Sequence, residues 1–180
     1  MTFKEVILSE INQVMDLVDE EQVSNVLKFI TKDKRIFITG AGRSGFQGKG
    51  FAMRLMHIGY QVFVMGETIT PAIQKDDVWV AISGSGTTKG IVADSEIAKQ
   101  KGLKVIAVTS EENSPLAKLA DCIVIVPGAT KTGSGIASQQ LLSSLFDQTV
   151  HITLDMITLM LANRDNTSNE DAYNSHVNVE

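Results

Sequence analysis

Arg35-Ile36-Phe37-Ile38-Thr39-Gly40-Ala41-Gly42-Arg43-Ser44-Gly45 joins a short apolar run to a glycine-rich turn, and helical spacing continues over Ser44–Ile58. The same arrangement recurs in Val78-Trp79-Val80-Ala81-Ile82-Ser83-Gly84-Ser85-Gly86-Thr87-Thr88, which leads into a helix over Thr88–Lys101. An apolar run of this length, closed by Gly and followed by a 3.6-residue period, is the pattern of a buried parallel strand feeding a crossover helix.

Outward from these two units the rhythm holds. Further strands are expected at Gln61–Met65, Lys104–Val108 and Cys122–Val126, with helices at Ser114–Leu119 and Ile136–Ala162. Alternating strands and helices imply an α/β fold, a three-layer sandwich around a five-stranded parallel, flavodoxin-like sheet of order 2-1-3-4-5. Ahead of it, Phe3, Val6, Ile7, Ile11, Val14, Met15 and Val18 repeat with helical spacing. Asp19, Glu20 and Glu21 then open a second helix carrying Val23, Val26, Leu27 and Ile30. Acidic residues suit the positive end of a helix dipole. The reading is one domain over 1–180: an N-terminal helical hairpin (1–32), a β/α core (35–126), and a C-terminal helix with its tail (136–180). Residues Asn163–Ser175 are polar and predict no more than a short helical turn.

Composition narrows the function classes. Hydrophobic residues make up 43% and charged residues 21% of the 180, enough for one substantial core. A net charge of −5 argues against nucleic acid as partner, because a phosphate backbone demands a basic face. It leaves room for a small anion held by local donors. No stretch approaches the ~18 apolar residues of a membrane span, and Met1–Glu5 lacks an apolar leader, so a cytoplasmic protein is expected. The single cysteine, Cys122, lies in an apolar run and reads as a buried structural thiol.

In the expected strand order both Gly/Ser loops meet at the sheet's switch point, each at a helix N-terminus whose free amides and dipole attract anions. Ser44, Ser83, Ser85 and Thr88 add hydroxyls, and together they read as a phosphate cradle. Gly40-x-Gly42-x-x-Gly45 also fits a dinucleotide fingerprint, with Glu67 past the second strand as its ribose acid. That pattern is weak alone, and a Ser/Thr-rich loop after strand three, with Arg43 beside Ser44, favours a compact phosphate.

Taken together, Gly40-Ala-Gly-Arg-Ser-Gly45, Phe51-Ala-Met-Arg-Leu-Met-His57, Gly66-Glu-Thr68, Thr70-Pro-Ala72, Leu145-Phe-Asp-Gln148 and His176-Val-Asn-Val-Glu180 resemble the 6-phospho-3-hexuloisomerases, a branch of the sugar isomerase (SIS) domain proteins. The resemblance spans essentially the whole chain. It implies conversion of 3-hexulose 6-phosphate to fructose 6-phosphate downstream of hexulose-phosphate synthase, no metal or organic cofactor, and a homotetramer. Three places differ from the family pattern: Asp147 stands for a Glu, Thr87 for a second Glu, and Val177 and Val179 for Ala and Leu. The alternatives are an SIS isomerase of another sugar phosphate and a non-catalytic sugar-phosphate sensor.

Such an isomerisation needs a base and donors for a developing enediolate. Asp147 is the expected base, provided that burial lifts its pKa from the ordinary ~3.9. Arg43 is expected to polarise substrate oxygens or anchor phosphate, His176 to handle hydroxyl or ring protons, from a neighbouring subunit's tail, and His57 to assist. Glu67 is the alternative base. Asp147, His151 and Asp155, at intervals of four, read as a polar stripe on one helix face rather than a metal site. The last helix, apolar nearly all round, predicts burial against another subunit.

Overall fold

The structure is a computed structural model and describes residues 2–179; Glu180, the last residue of the expected tail motif, lies outside the described residues. The chain runs α1 (Phe3–Met15), α2 (Glu20–Val26), β1 (Arg35–Gly40), α3 (Gly42–His57), β2 (Gln61–Val64), β3 (Val78–Ile82), α4 (Lys89–Gln100), β4 (Lys104–Thr109), α5 (Pro115–Leu119), β5 (Cys122–Ile125), α6 (Ser144–Arg164) and α7 (Asn169–Asn174). The five strands form one parallel sheet in the expected order β2-β1-β3-β4-β5.

Strand alternation sorts the apolar side chains into two cores. Ile36, Ile38, Val78, Val80, Ile82, Ile106, Val108 and Val124 point to the face covered by α1, α2, α3 and α6. Phe37, Trp79, Ala81, Val105 and Ala107 point to the other, against Ile91 and Ala98 of α4 and Leu116 of α5. Each fully buried large side chain contributes about 1.5–3 kcal/mol. Trp79 keeps its indole N–H satisfied by donating to Ser95 Oγ at 2.9 Å. Cys122 is buried, as its apolar run implied, and burial pushes its thiol up.

The helical hairpin is tied to the far end of α6. Arg164 donates to the carbonyls of Leu27 (2.7 Å) and Ile30 (3.0 Å) and to the Tyr60 hydroxyl, which in turn donates to Asp165. α2 is shorter than its apolar spacing suggested and ends at Val26, with Asp19 as its N-cap. No helix among the described residues is long and apolar enough to cross a membrane.

One expectation is corrected. The last helix does not begin at Ile136 but at Ser144, and it runs to Arg164. Leu142, inside the expected span, takes left-handed backbone (φ 56°) that a helix excludes. The side chain of Glu10 also captures the Gln139 amide that a helix would use internally. Leu141 and Leu142, which the expected helix Ile136–Ala162 would include, are exposed.

Candidate active site

Gly40 at the end of β1 lies in register with Ile82 at the end of β3, so the two Gly/Ser loops leave the sheet side by side. The first enters its helix almost at once: α3 begins at Gly42, and an added Cβ on Gly45 would stand 2.6 Å from the Gly40 carbonyl oxygen. The second turns on Gly86 (φ 61°), whose amide donates to the Ser83 carbonyl at 3.1 Å. It is pinned from β4 through Gly84, whose carbonyl accepts the Ser110 amide (2.9 Å) and the Thr109 hydroxyl (3.1 Å).

The helix ends fall into two groups. α1, α2, α5 and α7 are each capped by a side chain, from Thr2, Asp19, Ser114 and Ser168. Among the described residues α3, α4 and α6, with N-caps Ala41, Thr88 and Ser143, have no side-chain cap. All three uncapped N-termini border one cleft of about 370 Å³, lined by residues 41–44, 83–85, 88, 130–131 and 141–144. Orphan amides and three convergent dipoles favour an anion there. The expected cradle residues Ser44, Ser83, Ser85 and Thr88 all line it. Ser83 and Thr88 hold their hydroxyls 3.1 Å apart, and Thr87 Oγ1 donates to Ser85 Oγ at 2.9 Å.

Asp147, in the first turn of α6, is fully buried. Ser44 Oγ donates to its Oδ1 at 3.1 Å, and Arg43 Nε stands 3.6 Å from its Oδ2. Among the described residues Oδ2 has no hydrogen-bond partner. Burial raises the carboxyl above its ordinary range, and the Ser44 hydrogen bond and Arg43 charge only partly counter it. The carboxylate sits behind Ser44 and Arg43 rather than in the cleft wall. Arg43 is half exposed and donates to Ser144 Oγ at 2.9 Å, so it bridges cleft and carboxylate.

His57 and His176 are not brought to this cleft within one chain. His57 closes α3 at the end opposite Ser44, about 20 Å away at 1.5 Å rise per residue. It is buried, and its ring stacks on that of His176 with centroids 5.1 Å apart. Burial, then the nearby His176 and Arg54, hold its pKa below the ordinary value. Glu67 lies on a separate apolar groove with Lys49, Met53, Met56 and Ile69 beside β2. The polar stripe divides: Asp147 is buried, whereas His151 and Asp155 are exposed and pair at 3.4 Å.

Sequence reading missed a third wall of the cleft, Thr130 and Lys131 with Leu141–Ser144. A signal was available in Thr130-Lys131-Thr132-Gly133-Ser134-Gly135, another Gly/Ser/Thr stretch, with four residues between it and the end of β5. In it the Thr130 hydroxyl contacts those of Ser134 (2.5 Å) and Thr132 (3.1 Å).

Comparison with known proteins gives the family. The SIS domain family matches residues 29–155. An uncharacterized protein of Archaeoglobus fulgidus is 41% identical over 182 residues, covering 100% of both chains. The 3-hexulose-6-phosphate isomerase of Mycobacterium gastri is 42% identical over 164 residues, 91% of this chain and 82% of its own. A Methanococcus jannaschii protein, whose crystal structure was described as inferring a 3-hexulose-6-phosphate isomerase function, superposes with a TM-score of 0.85 at 29% identity over 98% of each chain. With the family pattern across both loops and the sheet, and relatives this similar over nearly the whole length, the chain belongs to the SIS domain proteins and, within them, to the 3-hexulose-6-phosphate isomerase family.

Proposed function

We propose that this chain is a phosphosugar isomerase that converts 3-hexulose 6-phosphate to fructose 6-phosphate, consuming the product of a hexulose-phosphate synthase. The observation that carries the reading is the convergence of three uncapped helix N-termini on a hydroxyl-lined cleft, with a buried, pKa-raised carboxylate directly behind it. The named isomerase of M. gastri, 42% identical, supports the choice of substrate.

In this reading Ser44, Ser83, Ser85, Thr88 and the amides of α3 and α4 hold the phosphate. Asp147 takes the C2 proton on Oδ2, the oxygen with no partner, leaving a 2,3-enediolate. Protonation at C3, with loss of the O2 proton and gain of one at O3, completes a change that is neutral in electrons overall. Arg43, drawn toward the substrate's oxygens, would uncover Oδ2 and stabilise the enediolate. His176 and His57, remote from the cleft of their own chain, would serve a neighbour's cleft in a homotetramer.

A second reading, a non-catalytic sugar-phosphate sensor, is favoured by one observation: Asp147 has no exposed surface. A coupled assay separates the two. 3-Hexulose 6-phosphate is generated in place by a synthase, and fructose 6-phosphate formation is followed. Turnover that disappears in Asp147→Asn supports the isomerase. Absent turnover with fructose 6-phosphate still raising the melting temperature supports the sensor.

A further inference from the structure

The buried carboxylate of Glu10 takes no part in the chemistry above. It lies on α1, 7% exposed, on a helix otherwise docked through apolar residues. Ser138 Oγ donates to its Oε2 at 2.6 Å, the Gln139 backbone N–H to Oε1 at 2.7 Å, and Gln140 Nε2 to Oε2 at 3.0 Å. Burial opposes its charge, and these three donors more than offset that, holding the carboxyl below its ordinary range. Among the described residues it makes no ion pair, so the charge is held by donors from a single short stretch.

That stretch is the one that matters to the cleft. Residues 126–143 join β5 to α6 without helix or strand of their own, a connection long enough to need an external tie to keep one conformation. Residues 138–140 immediately precede Leu141–Ser144, which wall the cleft, and Ser144 receives Arg43. Gln140 also accepts from Gln148 Nε2 at 2.8 Å, next in sequence to Asp147.

We propose that Glu10 is a positioning residue of the cleft: from α1 it clamps residues 138–140, and thereby sets Leu141–Ser144 and the Arg43–Asp147 pair. Its effect on turnover rests on the isomerase reading. Its effect on the segment and on ligand affinity does not.

The test uses the full-length chain with Glu10→Gln, which keeps the side chain's shape but removes the charge and turns one acceptor into a donor. Hydrogen exchange is read at the Gln139 amide, fructose 6-phosphate affinity by calorimetry, and kcat and KM well below the melting temperature. The expected result is faster Gln139 exchange, affinity weakened several-fold, and kcat/KM lower by about tenfold to a hundredfold, the scale of an ångström-level misplacement. Ser138→Ala, which removes one of the three donors, should move all readouts the same way by less, and serves if Glu10→Gln folds poorly. Wild-type Gln139 exchange in Glu10→Gln would overturn the proposal. So would faster exchange with unchanged affinity and turnover, because Glu10 would then serve stability alone. If the wild-type chain fails to turn over 3-hexulose 6-phosphate, the isomerase reading falls, and Gln139 exchange together with affinity still decides the role of Glu10.

Discussion

Asp147→Asn should make the protein more stable and inactive at once. The native carboxylate is fully buried, with one hydrogen bond from Ser44 to Oδ1 and none to Oδ2. Leaving a buried acceptor unsatisfied costs about 1–3 kcal/mol, and more when it is charged. Arg43 at 3.6 Å offsets only part of this, because its guanidinium is half exposed and solvent screens the attraction. An Asn amide keeps the Ser44 bond and leaves a neutral group unpartnered instead. The net gain is then about 1 kcal/mol, or roughly 2–4 °C in melting temperature for a chain of this length. The pH dependence follows from the raised native pKa. The native state holds this proton more tightly than the unfolded chain, so the penalty is fully present above the native pKa. It fades as pH falls toward the unfolded value near ~3.9. Melting curves of both proteins from pH 7.5 down to about 4 should therefore converge. Turnover should drop about 10²–10⁴-fold, as for loss of a general base. A lower melting temperature for Asp147→Asn at neutral pH would refute the reasoning and make the carboxylate a net stabiliser of Ser44 and Arg43. Retained turnover would remove it as base.

Ser44→Ala strips the 3.1 Å hydrogen bond to Oδ1 of the buried Asp147 carboxylate and one hydroxyl of the cradle; unfolding should show a loss of about 1–3 kcal/mol, with weaker fructose 6-phosphate binding by calorimetry. Gly86→Ala needs left-handed backbone and would bring a Cβ within 2.1 Å of Ser114 Oγ, the cap of α5. Denaturant unfolding should show it destabilised by more than about 1 kcal/mol, whereas Gly50→Ala, inside α3 with open space around it, should gain about 0.5–1 kcal/mol. His57 is held below its ordinary pKa, so the native state resists its protonation. Stability is full above about pH 6.5 and declines as pH falls below it; His57→Asn should flatten the melting-temperature slope between pH 7 and 5, and an unchanged slope would remove His57 as its source.

The features that could be read along the chain are local ones. Apolar runs such as Val78–Ile82 and the helical periods between them carry the element order, because a strand or helix is set by side chains two to four positions apart. The fixed handedness of parallel crossovers then leaves few strand orders, and 2-1-3-4-5 is the one found. The two Gly/Ser loops were legible for the same reason, since loop chemistry and the following helix N-terminus are neighbours in the chain. The tertiary structure decided what depends on distant partners. Ser44 meets Asp147 across 103 residues, Arg43 meets Ser144 across 101, and Glu10 reaches Ser138 across 128. No periodicity encodes such pairs, nor the burial of the carboxylate, the start of α6 at Ser144 instead of Ile136, or the third wall of the cleft. The distance of His57 from Ser44 follows from the length of the helix that joins them, but its stacking on His176 depends on where the chain's last turn returns to α3. Desolvation and capping depend on which surfaces meet, and only the folded chain brings those surfaces together.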